Sequence, residues 1–416
     1  MRCSLIYTFL SSLLVIFFFF TLYNVPIVLS GARKALRSRR KKSIQSGDAV
    51  VPEGELPFVS ILVPVKNEEK VVGRLLDALF GLNYPVGKWE IILVNDASTD
   101  RTREVCLTYC NQYANIKLLD RLSSSTKAAA LNFGLKHASG EIVATFDGDS
   151  VPEPYALLRA VKYFQDERVA GVQGRICSIN ASQNMLTQFL SYEGTVQYEL
   201  YWGGKDSLNL YVGLAGTCQF IRRSVLVEVG GWNEGCLAED TELSVRLVEK
   251  DYVIRYASDV RTWEESPFSF RGLVVQRLRW FRGSIEIAAK FGKLMRQPSL
   301  KRFDAEMTLF GIFVLMLCIV NFLVPLWGFS LPATFFTVAL ARLTSVFTLM
   351  WTVAVGLALA GFSKPFRWRN ALWLPFVFIY WSFQSLIAFY ALLLVVFRRP
   401  RQWKKTVHSG VISGER

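Results

Sequence analysis

Histidine is scarce in this 416-residue chain, which has His137, His408 and no other. Its seven cysteines form no CxxC pair. Together these absences exclude a zinc site built on the usual Cys/His spacing. Cys106 and Cys110 lie one helical turn apart and are expected to pack as small apolar side chains. Unpaired thiols fit a reducing compartment. Acidic residues are also in short supply, 34 against 48 Lys and Arg, so the net charge is +14. The surplus is local: +6 over residues 31–50, +3 over 362–370 and +5 over 398–416, with the remainder neutral. It flanks apolar segments, as the positive-inside rule expects, and makes no continuous basic face, so no nucleic-acid partner is expected. The sequon Asn180-Ala181-Ser182 is read as chance, because the topology places it on the cytoplasmic side.

Apolar residues are abundant: the chain is 51% hydrophobic, has 31 Phe, and its mean hydropathy is +0.27. That composition suits one catalytic domain plus membrane spans. Leu5 to Leu29 is long enough to cross a bilayer, which takes roughly 20 apolar residues. Seven basic residues follow it and Arg2 alone precedes it, so residues 1–30 are expected as a retained anchor with the next domain cytoplasmic. Residues 31–57 read as a basic juxtamembrane linker, broken by Gly47, Pro52, Gly54 and Pro57. Met307–Phe329, Ala333–Gly361 and Ala371–Phe397 could each span once within a C-terminal region, 307–397. Three such spans would leave the basic tail, 398–416, outside, against its charge. Either one segment is re-entrant or interfacial or the charge rule fails; a cytoplasmic tail is favoured.

Between the membrane segments, strands and helices alternate. Val59–Val65, Glu90–Val94 and Glu141–Phe146 are short apolar runs typical of buried parallel strands. Glu68–Phe80, Thr99–Tyr113 and Thr126–Ala138 carry helical periodicity, which gives a Rossmann-like α/β sheet over a domain spanning 58–268. Ligands in such sheets bind beyond the carboxyl ends of the strands. There lie Lys66-Asn67-Glu68, Asn95-Asp96 and Asp147-Gly148-Asp149. Two carboxylates around a glycine can hold one hard divalent cation that bridges a diphosphate; a solvated acidic turn is the plainer alternative. Asp96 could accept from a base or ribose. Lys127, at a helix start, could meet a phosphate or be an ordinary surface lysine. Glu239-Asp240 precedes an amphipathic helix, where Asp240 could act as a general base or simply complement the helix dipole. Residues 269–306 form an amphipathic interfacial region. In it, Gly272, Gln276, Arg279, Trp280 and Gly283 share one helix face. Arg279 offers a fork for phosphate, Trp280 a stacking surface for a sugar, and the glycines a close approach. The competing view is a basic helix on the membrane surface, with Arg271, Arg277, Arg282, Lys290 and Lys293 interleaved among apolar residues.

Val63-Pro64-Val65-Lys66-Asn67-Glu68, Val94-Asn95-Asp96, Lys127-Ala128-Ala129-Ala130-Leu131-Asn132, Asp147-Gly148-Asp149, Glu239-Asp240 and Gln276-Arg277-Leu278-Arg279-Trp280 follow one another. This order resembles the processive family 2 glycosyltransferases, the membrane synthases of cellulose, chitin, hyaluronan and poly-N-acetylglucosamine. The resemblance covers about residues 58–295 and is strongest, around Asp240 and the helix after it, to bacterial poly-β-1,6-N-acetylglucosamine synthases. It implies a GT-A glycosyltransferase domain with N- and C-terminal transmembrane helices, multi-pass in the plasma membrane. It also implies a UDP-sugar donor (UDP-N-acetylglucosamine preferred), a growing polysaccharide acceptor, contact with the lipid bilayer and room for a small accessory membrane subunit. By the same resemblance, Pro64, Val65, Glu68, Asp96, Lys127 and Asp147 would line the nucleotide. Asp149, with Asp147, would ligate Mg²⁺ or Mn²⁺. Gly216, Thr217, Glu239 and Trp280 would face the acceptor, Asp240 would be the base, and Gln276 and Arg279 would hold the diphosphate. The cellulose-synthase gating pattern FxVTxK is absent; Gln402-Trp403-Lys404-Lys405-Thr406 resembles the tryptophan-containing tail of other members and could cover the nucleotide. Two other enzymes remain open: a transferase adding one sugar to a lipid, and a hyaluronan- or cellulose-type synthase. A silent scaffold would have no reason to keep Asp96, Asp147, Asp149, Asp240 and Arg279.

Overall fold

The computed structural model describes residues 2–42, 56–291, 294–328, 372–401, 405–406 and 408–412, with 338, 342 and 356 singly. Its centre is an eight-stranded sheet in the order β3-β2-β1-β4-β7-β6-β8-β5. β1 (Val59–Val65), β2 (Trp89–Asp96), β3 (Ile116–Arg121) and β4 (Ile142–Thr145) are parallel. β5 (Val151–Pro152) is a short edge on β8 (Val253–Glu264). β7 (Gln219–Arg222) runs antiparallel between β4 and β6 (Val169–Ser178), and β6 pairs in parallel with β8.

The three expected strands are present as β1, β2 and β4; β3 and β5 to β8 were not foreseen. The β3 sequence, Ile-Lys-Leu-Leu-Asp-Arg, is half polar because it is a sheet edge, so it lacks the continuous apolar run of a central strand. β1 alternates its side chains between two cores: Val59, Ile61, Val63 and Val65 face one layer and Leu62 the other. On the first face lie α2 (Val72–Phe80), α3 (Thr102–Cys110) and α5 (Ala156–Lys162). The second is covered by α4 (Lys127–Leu135), α8 (Arg223–Glu228) and α9 (Glu239–Glu249). Cys106 is buried among the first group, and burial pushes its thiol up to about 12, so it packs as expected.

α1 (Arg2–Lys42) covers the expected anchor but continues as helix through the basic stretch, so the linker expected over 31–57 is helical up to Lys42. It crosses a continuous helical segment in which α6 (Met185–Thr195) runs through a π-helical stretch (Val196–Trp202) into α7 (Gly203–Ser207). Glycines allow that crossing: a Cβ on Gly31 would lie 1.9 Å from the Leu200 carbonyl oxygen, and one on Gly204 1.9 Å from that of Ile27. Lys34 and Arg255 both pair with Asp206, at 2.5 and 2.7 Å. Beneath them Lys205 and Asp304, both fully buried, pair at 3.0 Å.

α10 (Phe270–Phe291) carries the QxxRW motif and lies against α11 (Leu300–Gly328) and α12 (Leu374–Val396). Among the described residues, Leu374–Val396 is the one helix long and apolar enough to cross a membrane by length and composition. The expected Met307–Phe329 falls in α11 as far as Gly328, whereas nearly all of Ala333–Gly361 lies outside the described residues.

Candidate active site

A cleft of about 1250 Å³ opens over the carboxyl ends of β1, β2 and β4, where the parallel strands leave their loops. Pro64, Val65, Glu68, Asp96, Lys127, Asp147, Asp149, Thr217, Glu239, Asp240, Gln276, Arg279 and Trp280 all line it. Gly216 does not. It lies behind the wall at φ +80°, its carbonyl oxygen accepting from Lys127 Nζ at 3.0 Å. A Cβ there would sit 3.1 Å from Asp240 Oδ2 and 3.2 Å from Lys127 Nζ, so glycine lets lysine and carboxylate share the space.

At one end, Asp96 is buried, ion-paired to Arg121, and accepts from Ser124 Oγ at 2.5 Å. The turns that present these groups are strained: Asn67, two residues past β1, and Ala97, one past β2, both have φ +53°. Asp147 is not free, as the simplest reading of the motif implies, but ion-paired to Lys127. Burial works against the charge of Lys127, yet Asp147, Glu239 and Asp240 together hold its pKa above the ordinary lysine value. Asp149 is buried, its Oδ2 accepting from the Glu265 N–H at 2.9 Å and lying 3.4 Å from His408 Nδ1.

Glu264 and Glu265 escaped sequence reasoning, although they stand at the carboxyl end of β8 and obey the same strand-end rule that flagged Asp96 and Asp147. Glu264 accepts from Ser150 Oγ at 2.5 Å and Thr217 Oγ1 at 2.6 Å, tying the DxD turn to the Gly216-Thr217 loop. Burial, with Asp149 and Asp147 beside it, raises its pKa. Asp147, Asp149 and Glu264 are thus neighbours. Among the described residues no three metal-ligating side chains are grouped into a closed site. That is how Mg²⁺ in nucleotide sites is commonly held, by one or two carboxylates with phosphate oxygens completing the shell. Asp147 and Asp149 fit such an ion.

Glu239 and Asp240 are the first residues of α9 rather than lying before it. Burial raises both carboxylates; Lys127 and Arg279 pull them back, and Asp240 also accepts from the Thr241 N–H at 2.6 Å. Opposite them, α10 brings Gln276, Arg279 and Trp280 to the cleft. Arg279 Nε is buried without a hydrogen-bond partner among the described residues, a donor in want of an acceptor. Trp280 stays 39% exposed, available for stacking. The membrane-surface view of this helix is corrected at two positions. Arg277 and Arg282 turn inward and pair with Glu193 at 2.6 Å and Glu286 at 3.0 Å.

The C-terminal segment closes the end of the cleft at Glu68 and Glu265. Arg282 donates to the carbonyls of Arg399 and Pro400 at 2.5 and 3.0 Å. Lys405 pairs with Glu68 at 2.9 Å, and the Ser409 and Gly410 N–H groups donate to Glu265 at 2.7 and 2.9 Å. Burial raises the Glu68 carboxyl to about 7, although His408 and Lys405 pull it down. Gln402, Trp403 and Lys404 lie outside the described residues. A tail seated here shares a side with the catalytic domain.

A Rossmann-like sheet with paired aspartates at a strand end, carboxylates at the start of α9 and an arginine across the cleft on α10 is the arrangement of a glycosyltransferase of the GT-A type. Residues 60–230 match the sequence profile of Glycosyl transferase family 2. The beta-monoglucosyldiacylglycerol synthase of Trichormus variabilis is 30% identical over 385 residues, covering 87% of this chain and 78% of that protein. The chain belongs to glycosyltransferase family 2. The probable glycosyltransferase YdaM of Bacillus subtilis is 36% identical over 251 residues, 58% of this chain; the chain spans 60% of YdaM. A mannosyltransferase from Pyrobaculum calidifontis, PcManGT, solved with GDP-Man and Mn²⁺, shares the fold. Its TM-score is 0.57 at 19% identity, covering 94% of this chain and all of that one.

Proposed function

We propose that the protein is a membrane-embedded, inverting β-glycosyltransferase that takes a UDP-sugar and extends a polysaccharide, with UDP-N-acetylglucosamine the preferred donor. The observation that carries the catalytic part is the convergence of Asp240, Lys127 and Arg279 on one cleft. The nucleoside lies at Asp96 with Pro64, Val65 and Glu68 around it. Arg279, its buried Nε unsatisfied, and Gln276 take the diphosphate, with Lys127 released from Asp147 towards it. Asp149 and Asp147 would hold a divalent ion, Mg²⁺ or Mn²⁺, which when bound would supply charge stabilisation to the leaving diphosphate. The acceptor hydroxyl attacks C1 from the face opposite the diphosphate and loses its proton to Asp240. The C1–oxygen bond breaks, and an α-linked donor becomes a β-linked product. A carboxylate raised by burial is a better base than an ordinary aspartate, and such help is worth about 10²–10⁴-fold.

The cleft is large enough for a nucleotide sugar and a sugar acceptor together, as polymerisation requires. At about 1250 Å³ it exceeds the roughly 300–1,000 Å³ of a single-ligand pocket and continues past Trp280 along α6 to Tyr198 and Trp202. Transfer to a lipid is the second reading, favoured by the Trichormus relative, whose name specifies a diacylglycerol glycolipid. The tail over the nucleotide end fits a cytoplasmic C-terminus, hence an even number of crossings between catalytic domain and tail.

The test is UDP release by purified protein in lipid vesicles, across UDP-sugars with Mg²⁺ or Mn²⁺, followed by product sizing. High-molecular-weight product from one donor supports the polymerase; a single lipid-soluble product moves the assignment to lipid glycosylation. Asp240→Asn should nearly abolish transfer while UDP binding persists. Full turnover in that variant would sink the catalytic assignment.

A further inference from the structure

Where the QxxRW helix meets α6 and α12, Arg277 Nη2 donates to Glu193 Oε2 at 2.6 Å. Tyr380 OH donates to the same oxygen at 2.6 Å, and Gln384 Nε2 donates to Tyr380 OH at 2.5 Å. Tyr380 and Gln384 belong to the membrane-length helix α12 and are buried in the protein, Gln384 completely. Polar groups so placed on an apolar helix are costly and need a reason. The other side of Arg277 supplies one: its guanidinium lies 4.6 Å from the centre of the Trp280 ring. A cation at that distance fixes an indole face as well as attracting it. Glu193, Arg277 and Trp280 all line the cleft.

We propose that Glu193 is a positioning residue for the acceptor, holding Arg277 on one face of Trp280 so that the ring presents its other surface to the terminal sugar. Tyr380 makes that placement depend on the seat of α12, which couples a membrane helix to the acceptor end of the cleft. The inference rests on Trp280 being the acceptor platform. At the strand ends, Asp96, Asp149 and Lys127 pair with other groups.

The experiment compares Glu193→Gln, Tyr380→Phe and Trp280→Ala in vesicles. Acceptor is varied as a β-linked oligomer of the donor sugar; wild-type UDP release that needs diacylglycerol alone, which has no sugar ring to stack, overturns the premise. Removing one partner of a charge-assisted hydrogen bond should raise the acceptor KM about tenfold in Glu193→Gln. Tyr380→Phe should move it the same way by less, with donor KM and UDP binding unchanged in both. Glu193→Asp, which keeps the charge, should restore part of the loss. A merely structural role predicts parallel loss of donor and acceptor affinity or a fall in kcat alone, and either pattern overturns the proposal. Trp280→Ala separates the two levels. If it raises acceptor KM while Glu193→Gln and Tyr380→Phe do not, positioning fails and the platform stands; if it leaves acceptor KM unchanged, the platform itself is wrong.

Discussion

Gly283 sets the distance between the two halves of the catalytic constellation. A Cβ on it would meet Ala238 Cβ at 2.7 Å, Ala238 N at 3.0 Å and Ala238 Cα at 3.4 Å. Ala238 immediately precedes Glu239-Asp240, and Gly283 lies one helical turn beyond Arg279, so this contact spaces the proposed base from the arginine proposed to hold the diphosphate. Carbon atoms rest at about 3.5–4.0 Å, so Gly283→Ala must separate α10 and α9 by roughly 1 Å. Overpacking of that kind costs about 1–3 kcal/mol of stability. A displacement of that size at a reacting centre can cost about 10²-fold in rate. We expect kcat for UDP release to fall about a hundredfold in Gly283→Ala while UDP binding survives. Gly272→Ala is the matched control on the same helix: its Cβ meets nothing closer than the Ser269 hydroxyl at 3.3 Å, which accepts from the Gly272 N–H at 3.2 Å. There α10 keeps its distance from α9 and turnover should be unchanged. Wild-type turnover in Gly283→Ala, or equal losses in both variants, would refute the spacing argument.

The pH profile follows from Asp240: its carboxyl is raised by burial and drawn back by Lys127 and Arg279. The base works only when deprotonated, so turnover should fall as pH drops, from a higher pH than an ordinary aspartate near 3.9 would give. Lys127→Met should shift this acid limb to higher pH, and a limb that stays in place would disprove the coupling. Glu90 makes a stability prediction. Burial opposes its charge, but bonds from Ser139, Lys117 and Ser60 hold its carboxyl down to about 2, against 4.5 for a free glutamate. Its contribution, on the order of 3 kcal/mol, is full above pH 4.5 and is lost as pH falls towards 2. Glu90→Gln should lower the midpoint of urea denaturation in detergent at pH 7 by a corresponding amount. Glu265→Gln should weaken the seat of the C-terminal segment, which its carboxylate holds through Ser409 and Gly410. Faster trypsin cleavage at Lys405 measures that release, and an unchanged rate would show that the seat lies elsewhere.

The central strands β1, β2 and β4, the order of the motifs and the glycosyltransferase assignment were legible in the sequence; β5 to β8 were not. Central parallel strands must be continuously apolar, and ligand chemistry must follow them at their carboxyl ends, so β1, β2 and β4 announce both fold and site. The half-polar edge strand β3 carries no such mark. Nor could spacing show which side chains are spoken for. Asp147 and Lys127 read as separate ligands until folding pairs them. Arg277 reads as a membrane-facing cation until Glu193, 84 positions earlier, is brought against it. Glu264 joins the DxD turn from 114 positions beyond Ser150. The tail's position over Glu68 and Glu265 likewise depends on contacts across most of the chain. Local sequence determines strand, turn and helix face because those obey short-range periodicity. Partnership of buried charges is a long-range matter, decided when desolvation makes an unpaired charge too costly to keep.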